Sequence, residues 1–422
     1  MHSHRIQILN FDKLTISVIG LCASLFPLFF LTLRGWTNAC LFLAALTSII
    51  YVLIRHPHFY KNKNNTYWLL LSALCAPFIT ELAAQILRRH IHGSSLDGPA
   101  RFLLASFVYI AIVEMPDACI KLNFQWIIPT SLIICLLAYF LNPEASQFWG
   151  GRAASYFADP ITFASYITAL SFVCLLYIKK DQDFLANVYI LGAFIFSMYL
   201  IILSQSRSAW TSGLVTALLV IFIQKNRPKK EFFIYLLLII GFFAATYYLN
   251  NSLKNRIDLI FSDVIQYSHG YRDTSNGIRL SLARLDLYLF KTHLLTGIQD
   301  GVLPSFTELS NKQDYVTQVL YSMKISAGSH NEVLAQLSRK GLWGIASIFG
   351  LFLIPMAFFL KNIVTPNETT STLAKVGFVF CTSIFISSLT IQVFNLKYTS
   401  SFYALMLAVL TALITKKNHG QT

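Results

Sequence analysis

The chain has 422 residues, of which 55% are hydrophobic and only 12% are charged, and its mean hydropathy is +0.58. A soluble domain carries about 25% charged residues, so half of the usual solvating surface is missing. This composition excludes an ordinary water-soluble enzyme and predicts an all-α integral membrane protein. A net charge of +14 would indicate a nucleic-acid partner in a soluble protein. Here we expect no nucleic acid, and we interpret the charge as a sign of membrane orientation together with an anionic ligand.

Apolar runs long enough to cross a bilayer, about 20 residues each, recur along the chain. They predict about twelve transmembrane helices, at residues 14–33, 36–54, 67–87, 99–115, 124–141, 160–178, 184–204, 208–224, 231–249, 333–360, 372–393 and 398–415. No small-residue cleavage site follows the first run, so we expect a retained span rather than a signal peptide. The predicted organisation is nine spans in 1–250, one large loop with an amphipathic helix in 251–330, and three spans in 331–422.

Lysine and arginine are distributed unequally between the two sets of short loops. If the N-terminus is inside, sixteen of them lie on the inner side and seven on the outer side. Because cytoplasmic loops are enriched in Lys and Arg, both termini are predicted to be cytoplasmic and the large loop periplasmic. Six of the seven outer residues are arginines: Arg34, Arg88, Arg89, Arg101, Arg152 and Arg207. Snorkelling or salt bridging explains any single one of them, but several together beside a basic loop indicate an anion site.

Arg207 lies in the sequence LSQSRSAWTSG, a short turn between two apolar runs. Such a turn places the guanidinium at the membrane surface, flanked by the hydroxyls of Ser204, Ser206 and Ser208. The guanidinium presents a planar fork of donors that matches phosphate oxygens. The simpler interpretation is a residue that fixes topology or contacts a lipid headgroup.

Arg279 lies in the large loop, in the sequence NGIRLSLARLDLYLFKTH. The segment has an apolar stripe at helical spacing, formed by Ile278, Leu282, Leu285 and Leu289. This predicts an amphipathic helix that lies on the membrane or packs over the bundle. Arg279, Asp286 and His293 follow one another at intervals of seven on its polar edge. Packing alone explains the stripe, and Arg279 is a candidate anion ligand.

His330 lies in the sequence AGSHNEVLAQLSRKGLWG, where the large loop returns to the membrane. Ser329 and Glu332 have the spacing of a capping box in front of the tenth span. His330 would then occupy the first helical turn, whose positive end attracts phosphate and favours the neutral imidazole. The alternative is a histidine that merely lines a helix entrance.

Neither a metal nor another cofactor is expected. The seven cysteines have no metal-ligand spacing. Asp181 and Asp183 resemble the metal-binding carboxylates of nucleotide-sugar transferases, but their loop is on the inner side and too short for a nucleotide fold. Glu81 and Glu114 are the acids inside the predicted spans, which is few for an ion-coupled transporter.

Together, SQSRSAW after a span, GIRL in the large loop and SHNEVLAQLSRKGLWG at the next span resemble the O-antigen ligase family of Gram-negative inner membranes. The order and spacing of the three motifs carry the resemblance, which extends over nearly the whole chain. The wider superfamily also holds O-antigen polymerases and protein O-oligosaccharyltransferases, and the latter are usually longer.

The resemblance implies a glycosyltransferase of lipopolysaccharide biosynthesis. Its donor would be O-antigen on undecaprenyl pyrophosphate and its acceptor a sugar hydroxyl of lipid A-core, joined at the periplasmic face with inversion at the anomeric carbon. The resemblance assigns Arg207 and Arg279 to the pyrophosphate and His330 to the reacting centre. The charge map adds four substrate-binding candidates: Arg152, Arg284, Arg88 and Arg89. An O-antigen polymerase and a non-enzymatic flippase of lipid-linked oligosaccharides remain alternatives, although the one-sided arginines disfavour the flippase.

Overall fold

The computed structural model describes residues 2–55, 63–115, 122–179, 182–224, 241, 251–299, 302–394 and 396–419. Within these ranges the regular structure is helical and contains no β-strand, which confirms the predicted all-α class. The predicted ninth span, 231–249, lies almost entirely outside the described residues.

The described helices fall into three groups along the chain. The first comprises α1 His2–Leu25, α2 Trp36–Arg55, α3 Asn65–Leu87, α4 Gly93–Glu114, α5 Phe124–Leu141, α6 Pro143–Phe148, α7 Pro160–Leu175, α8 Phe184–Leu203 and α9 Arg207–Ile223. The second comprises α10 Asn251–Ser268, α11 Ser275–Thr292, α12 Phe306–Lys312, α13 Gln318–Ala327 and α14 Glu332–Lys340. The third comprises α15 Trp343–Asn362, which contains a π-helical turn at Phe349–Leu353, α16 Glu368–Ser388 and α17 Lys397–His419.

In the part of the chain that the structure describes, eight helices are long and apolar enough to cross a membrane: α2, α3, α4, α5, α8, α15, α16 and α17. The apolar part of α1, Lys13–Leu25, and helices α7 and α9 coincide with predicted spans but are shorter. The total of about twelve crossings therefore stays a prediction. The predicted tenth span, 333–360, is not one helix, because α14 ends at Lys340 and a separate helix begins at Trp343.

Helix α17 lies at the centre of the bundle. Its spanning part is entirely buried, and it packs along α4, α2 and α16. A helix that is apolar on all sides has no polar face to present to water, so burial is its expected place. The surrounding helices expose large apolar side chains such as Leu46, Ile79, Leu137 and Phe222. An apolar exterior of this kind matches the hydrocarbon of a bilayer.

The helices of the large loop cover one end of the bundle. Leu282, Leu285 and Leu289 of α11 are buried in a second apolar cluster that also includes Leu309 and Leu320. Helix α11 packs against α14 and α13. Helix α11 covers the segment predicted to be an amphipathic helix, and its apolar stripe packs against protein.

Two close backbone crossings fasten this covering layer to α14. Gly297 and Gly341 have φ of +62° and +59°, and a Cβ on either would lie 2.2 Å from a carbonyl oxygen, of Arg339 or Leu294 respectively. Only glycine fits such an approach at positive φ. The Ile298 amide donates to the Ser338 carbonyl oxygen at 2.8 Å, and the Leu342 amide donates to that of Leu294 at 2.7 Å. These crossings fix where α14 ends.

Candidate functional site

Arg207 is the first residue of α9, after a tight turn that follows α8. Gln205 in this turn has φ of +52°. The sequence placed the hydroxyls of Ser204, Ser206 and Ser208 around the guanidinium, but all three serines are buried and bond locally. Ser204 donates to the Ile201 carbonyl oxygen at 2.7 Å, and Ser206 and Ser208 share a hydrogen bond at 3.0 Å. The serines shape the turn, and the guanidinium lies beside the positive end of α9.

Asp263 connects Arg207 to the helix that carries Arg279. Its Oδ2 lies 3.9 Å from Nη1 of Arg207 and accepts the Asn276 amide at 3.3 Å, in the first turn of α11. Arg279 follows on the same helix, and burial together with repulsion from Arg207 lowers its pKa. Two half-buried guanidinium groups thus lie within electrostatic reach of each other, and a carboxylate lies beside Arg207. A polyanion would relieve this repulsion.

His330 lies outside α14, which corrects the predicted capping box. The capping residue is Asn331, whose Oδ1 accepts the Leu334 amide at 3.0 Å, and the helix begins at Glu332. The Glu332 carboxylate instead accepts the Gln336 side-chain amide at 2.7 Å and the Phe394 backbone amide at 3.1 Å. The structure favours Asn331 because Glu332 is needed to tie α14 to the segment before α17.

His330 has φ of +49°, in the left-handed region. For a residue other than glycine this conformation costs on the order of 1–3 kcal/mol and persists only where neighbouring contacts enforce it. Asn331 supplies one such contact, because its Nδ2 donates to the Leu389 carbonyl oxygen at 2.9 Å. Such strain is typical of residues that must point in a set direction, which makes His330 a candidate for a functional role.

The surroundings of His330 keep its imidazole neutral. Burial lowers its pKa below the usual 6.5, the charges of Arg279 and Lys324 lower it further, and Asp159 opposes them. Asp159 caps α7, and its Oδ1 accepts the amides of Ile161 and Thr162. A neutral imidazole near Arg279 can accept a proton while the cations hold a negative charge.

Of the four further arginines, Arg152 is joined to the Arg207 turn. Its Nε donates to the Ser204 carbonyl oxygen at 2.8 Å, and the next amide, of Ala153, donates to that of Leu203 at 3.0 Å. Arg284 points elsewhere, because five residues after Arg279 is about 140° around the helix. It is exposed, donates to the Tyr267 hydroxyl at 3.2 Å and lies over the ring of Tyr315.

Arg88 fastens the covering layer. Its Nη1 donates to the carbonyl oxygens of Thr296 and Arg339, at 2.9 and 2.7 Å, and Nη2 lies 3.6 Å from Glu81. Arg89 is exposed beyond the end of α3, with φ of +56°. The structure therefore brings together Arg207, Arg279 and His330, with Arg152 adjoining them. The roles of all seven residues stay predictions.

Sequence reasoning missed Asp263, Asp159 and Lys324, each of which faces a member of this group. Asp159 precedes Pro160, a pairing typical of a helix start. The sequence therefore contained a signal that Asp159 caps a helix, but none that it lies near His330. Asp263 and Lys324 carry no local pattern that distinguishes them from surface charges. Their partners come from other helices.

These features define a polytopic α-helical membrane protein with a cationic site at one end of its bundle. Residues 192–349, a stretch that contains Arg207, Arg279 and His330, match the family described as O-Antigen ligase. The chain is 25% identical over 377 residues to an uncharacterized protein of Haemophilus influenzae, covering 85% of this chain and 90% of that protein. It is 26% identical over 204 residues to the O-antigen ligase of Escherichia coli K12, covering 47% of each chain.

The matches confirm the resemblance to the O-antigen ligase family that the three motifs indicated. The family is one of glycosyl-transferring enzymes.

Proposed function

We propose that the protein transfers O-antigen polysaccharide from undecaprenyl pyrophosphate to a sugar hydroxyl of lipid A-core, at the periplasmic face of the inner membrane. The observation that carries this proposal is the convergence of Arg207, Arg279 and His330 at one end of the bundle. A phosphate-binding pair of cations beside a neutral imidazole is the arrangement that such a transfer needs.

The two arginines would act on the leaving group. Pyrophosphate gains negative charge as its bond to the anomeric carbon breaks, and groups already aimed at that charge lower the barrier. Arg207 and Arg279 repel each other in the structure, so they are arranged to bind an anion more strongly than either would alone. Asp263 offsets part of this charge before the donor arrives.

His330 would act on the acceptor. A neutral imidazole nitrogen takes the proton of the sugar hydroxyl while its oxygen attacks the anomeric carbon, and the electrons of the broken bond leave with the pyrophosphate. A single displacement of this kind inverts the anomeric configuration. The lowered pKa of His330 supports the role, because the base form is then present near neutral pH.

Deletion of the gene followed by gel analysis of lipopolysaccharide tests the proposed reaction. A ligase is expected to leave uncapped core and to accumulate lipid-linked polymer. Core that carries single repeat units would identify a polymerase instead. Complementation with His330→Ala should fail to restore capped core, although the protein should insert at the parental level.

A further inference from the structure

Three side chains next to His330 form a compact cluster that the motifs do not include. Asp286 lies on α11, Lys324 on α13, and Ser329 immediately before His330. Nζ of Lys324 lies 2.5 Å from both Oδ1 of Asp286 and Oγ of Ser329. The Ser329 hydroxyl donates to the same Oδ1 at 3.1 Å. Each member therefore contacts the other two.

The cluster is buried, so its charged and polar groups must be compensated by one another rather than by water. Asp286 is 1% exposed and Ser329 2% exposed. A buried carboxylate is costly unless a cation and hydrogen bonds compensate it, so Asp286 and Lys324 hold each other in place. Because Ser329 bonds to both, its position is fixed as well. The backbone of His330, the next residue, therefore starts from a fixed position.

His330 is held from both sides as a result. Ser329 is anchored before it, and Asn331 is anchored after it by the Leu389 carbonyl oxygen and the start of α14. Between these two points the backbone takes the left-handed conformation at His330. Two fixed neighbours can enforce a strained conformation that the residue would not adopt alone.

The anchor and Arg279 belong to the same helix. Asp286 is seven residues after Arg279, which is about two helical turns, so both side chains lie on one face of α11. One rigid helix thus sets the position of an arginine and of the loop that carries the imidazole. Given the proposed function, this couples the leaving-group site to the base.

We propose that Asp286, Lys324 and Ser329 form a positioning cluster that holds His330 in its left-handed conformation, facing Arg279, and so determines the turnover of the transfer reaction. None of the three needs to touch the substrate. A base displaced by about 1 Å loses up to about 10²-fold in rate, whereas donor binding depends on the arginines and changes little.

The test compares Ser329→Ala and the double variant Asp286→Asn/Lys324→Met with the parental protein in proteoliposomes. The double variant removes both charges together, since Lys324→Met alone would leave a buried carboxylate uncompensated. Both are expected to lower kcat by about tenfold to a hundredfold, with the donor KM within about twofold of the parental value. The matched control is Glu308→Gln/Lys312→Met, an exposed pair of the same loop at 2.8 Å, which should leave kcat unchanged.

A second readout follows His330 itself, by NMR titration of labelled histidine in the same proteins. Three charged groups face the imidazole: Arg279, Asp159 and Lys324. The double variant removes the opposite charges of Asp286 and Lys324 together, so a changed pKa of His330 reports a displaced imidazole. Displacement from its buried position near Arg279 should raise the pKa of His330 and move the acid limb of the rate to higher pH.

Folded variants with parental kcat and an unmoved His330 pKa would overturn the positioning role and leave the proposed function intact. If the parental protein transferred no glycan, the proposed function would fail, and the NMR titration would still report on the cluster. If the double variant did not fold, Ser329→Ala would decide by its kcat: a fall with unchanged donor KM supports the cluster, and a parental kcat contradicts it.

Discussion

Arg207 differs in its surroundings from Arg272, an arginine of the covering layer. Arg207 is 14% exposed and pairs loosely with a buried carboxylate, whereas Arg272 is 25% exposed and pairs with Asp314 at the surface. A half-buried cation acts in a lower dielectric, where its effect on a phosphate is stronger. The two kinds of arginine should therefore respond differently to the same substitution.

Arg207→Ala and Arg279→Ala should each lower kcat/KM for glycan transfer by about 10²-fold or more, because each removes charge stabilisation from the leaving group. Lysine at either position should restore little, since a point charge cannot reproduce the planar fork. Initial rates in proteoliposomes give the values. Arg272→Ala is the matched control and should stay close to the parental rate. If Arg207→Ala and Arg279→Ala were both active at normal protein level, the proposed pyrophosphate site would be refuted.

His330→Ala should lose about 10²–10⁴-fold in kcat while donor binding persists, as expected for loss of a general base. His330→Gln keeps a hydrogen bond but cannot take the proton, so substantial activity in this variant would show that the histidine only orients the acceptor. Protein level and donor binding, measured alongside, separate lost catalysis from lost folding.

The rate should fall as the medium is acidified, because protonation removes the base form of His330. Its pKa is lowered by burial and by neighbouring cations, so the midpoint of this acid limb should lie below pH 6.5. The residual activity of His330→Gln should lack the limb. A pH–rate profile of kcat from pH 5 to 8 measures both, and an identical limb in the Gln variant would assign it to another group.

At the level of elements, the break between α14 and α15 is the feature that most affects the site. It lets α14 lie under the covering layer, so that its N-terminal end holds Asn331 and the His330 loop. The break depends on Gly341, which approaches the 293–298 segment too closely for any side chain. Substitution of Gly341 should therefore destabilise the contact between α14 and the covering layer as well as the local backbone.

Gly341→Ala should lower the thermal stability of the detergent-solubilised protein strongly, because its Cβ would lie 2.2 Å from the Leu294 carbonyl oxygen. Gly270→Ala is the matched control: it also has positive φ, of +89°, but nothing within 4 Å of the added Cβ. The control should therefore lose only the free energy that alanine costs at positive φ, on the order of 1 kcal/mol. Melting curves followed by intrinsic fluorescence compare the two, and equal shifts would mean that the crossing contributes nothing beyond φ.

At the scale of the whole molecule, the proposed function requires that the end of the bundle with Arg207, Arg279 and His330 faces the periplasm. Lys179 pairs with Glu368 at 2.5 Å at the opposite end, and Lys312 lies on α12 in the covering layer. The two lysine side chains are similarly exposed, at 48% and 54%. They are thus a matched pair for testing orientation.

In a background without native cysteines, Lys312→Cys should react with an impermeant thiol reagent in intact spheroplasts, and Lys179→Cys should react only after permeabilisation. The expectation follows from the excess of Lys and Arg in the short loops of the Lys179 side. Mass spectrometry of the labelled protein provides the measurement. Labelling of Lys179→Cys alone would invert the orientation and place the site in the cytoplasm.

The sequence by itself determined the features that depend on local periodicity. Hydropathy located the apolar helices, and the stripe from Ile278 to Leu289 identified α11, because a helix buries one face whichever partner covers it. The three motifs likewise indicated the resemblance to the O-antigen ligase family, since they are read along the chain. These inferences depend on local sequence and require no information about which helix ends contact each other.

Only the tertiary structure decided which charged residues share a site. The charge map alone does not separate Arg284 from Arg279, yet the helical turn directs the two side chains about 140° apart. The cap at Asn331, rather than Ser329, follows from Glu332 binding the Phe394 amide, 62 residues further along the chain. Contacts between residues so far apart depend on the packing of the whole bundle, and no short stretch of sequence specifies them.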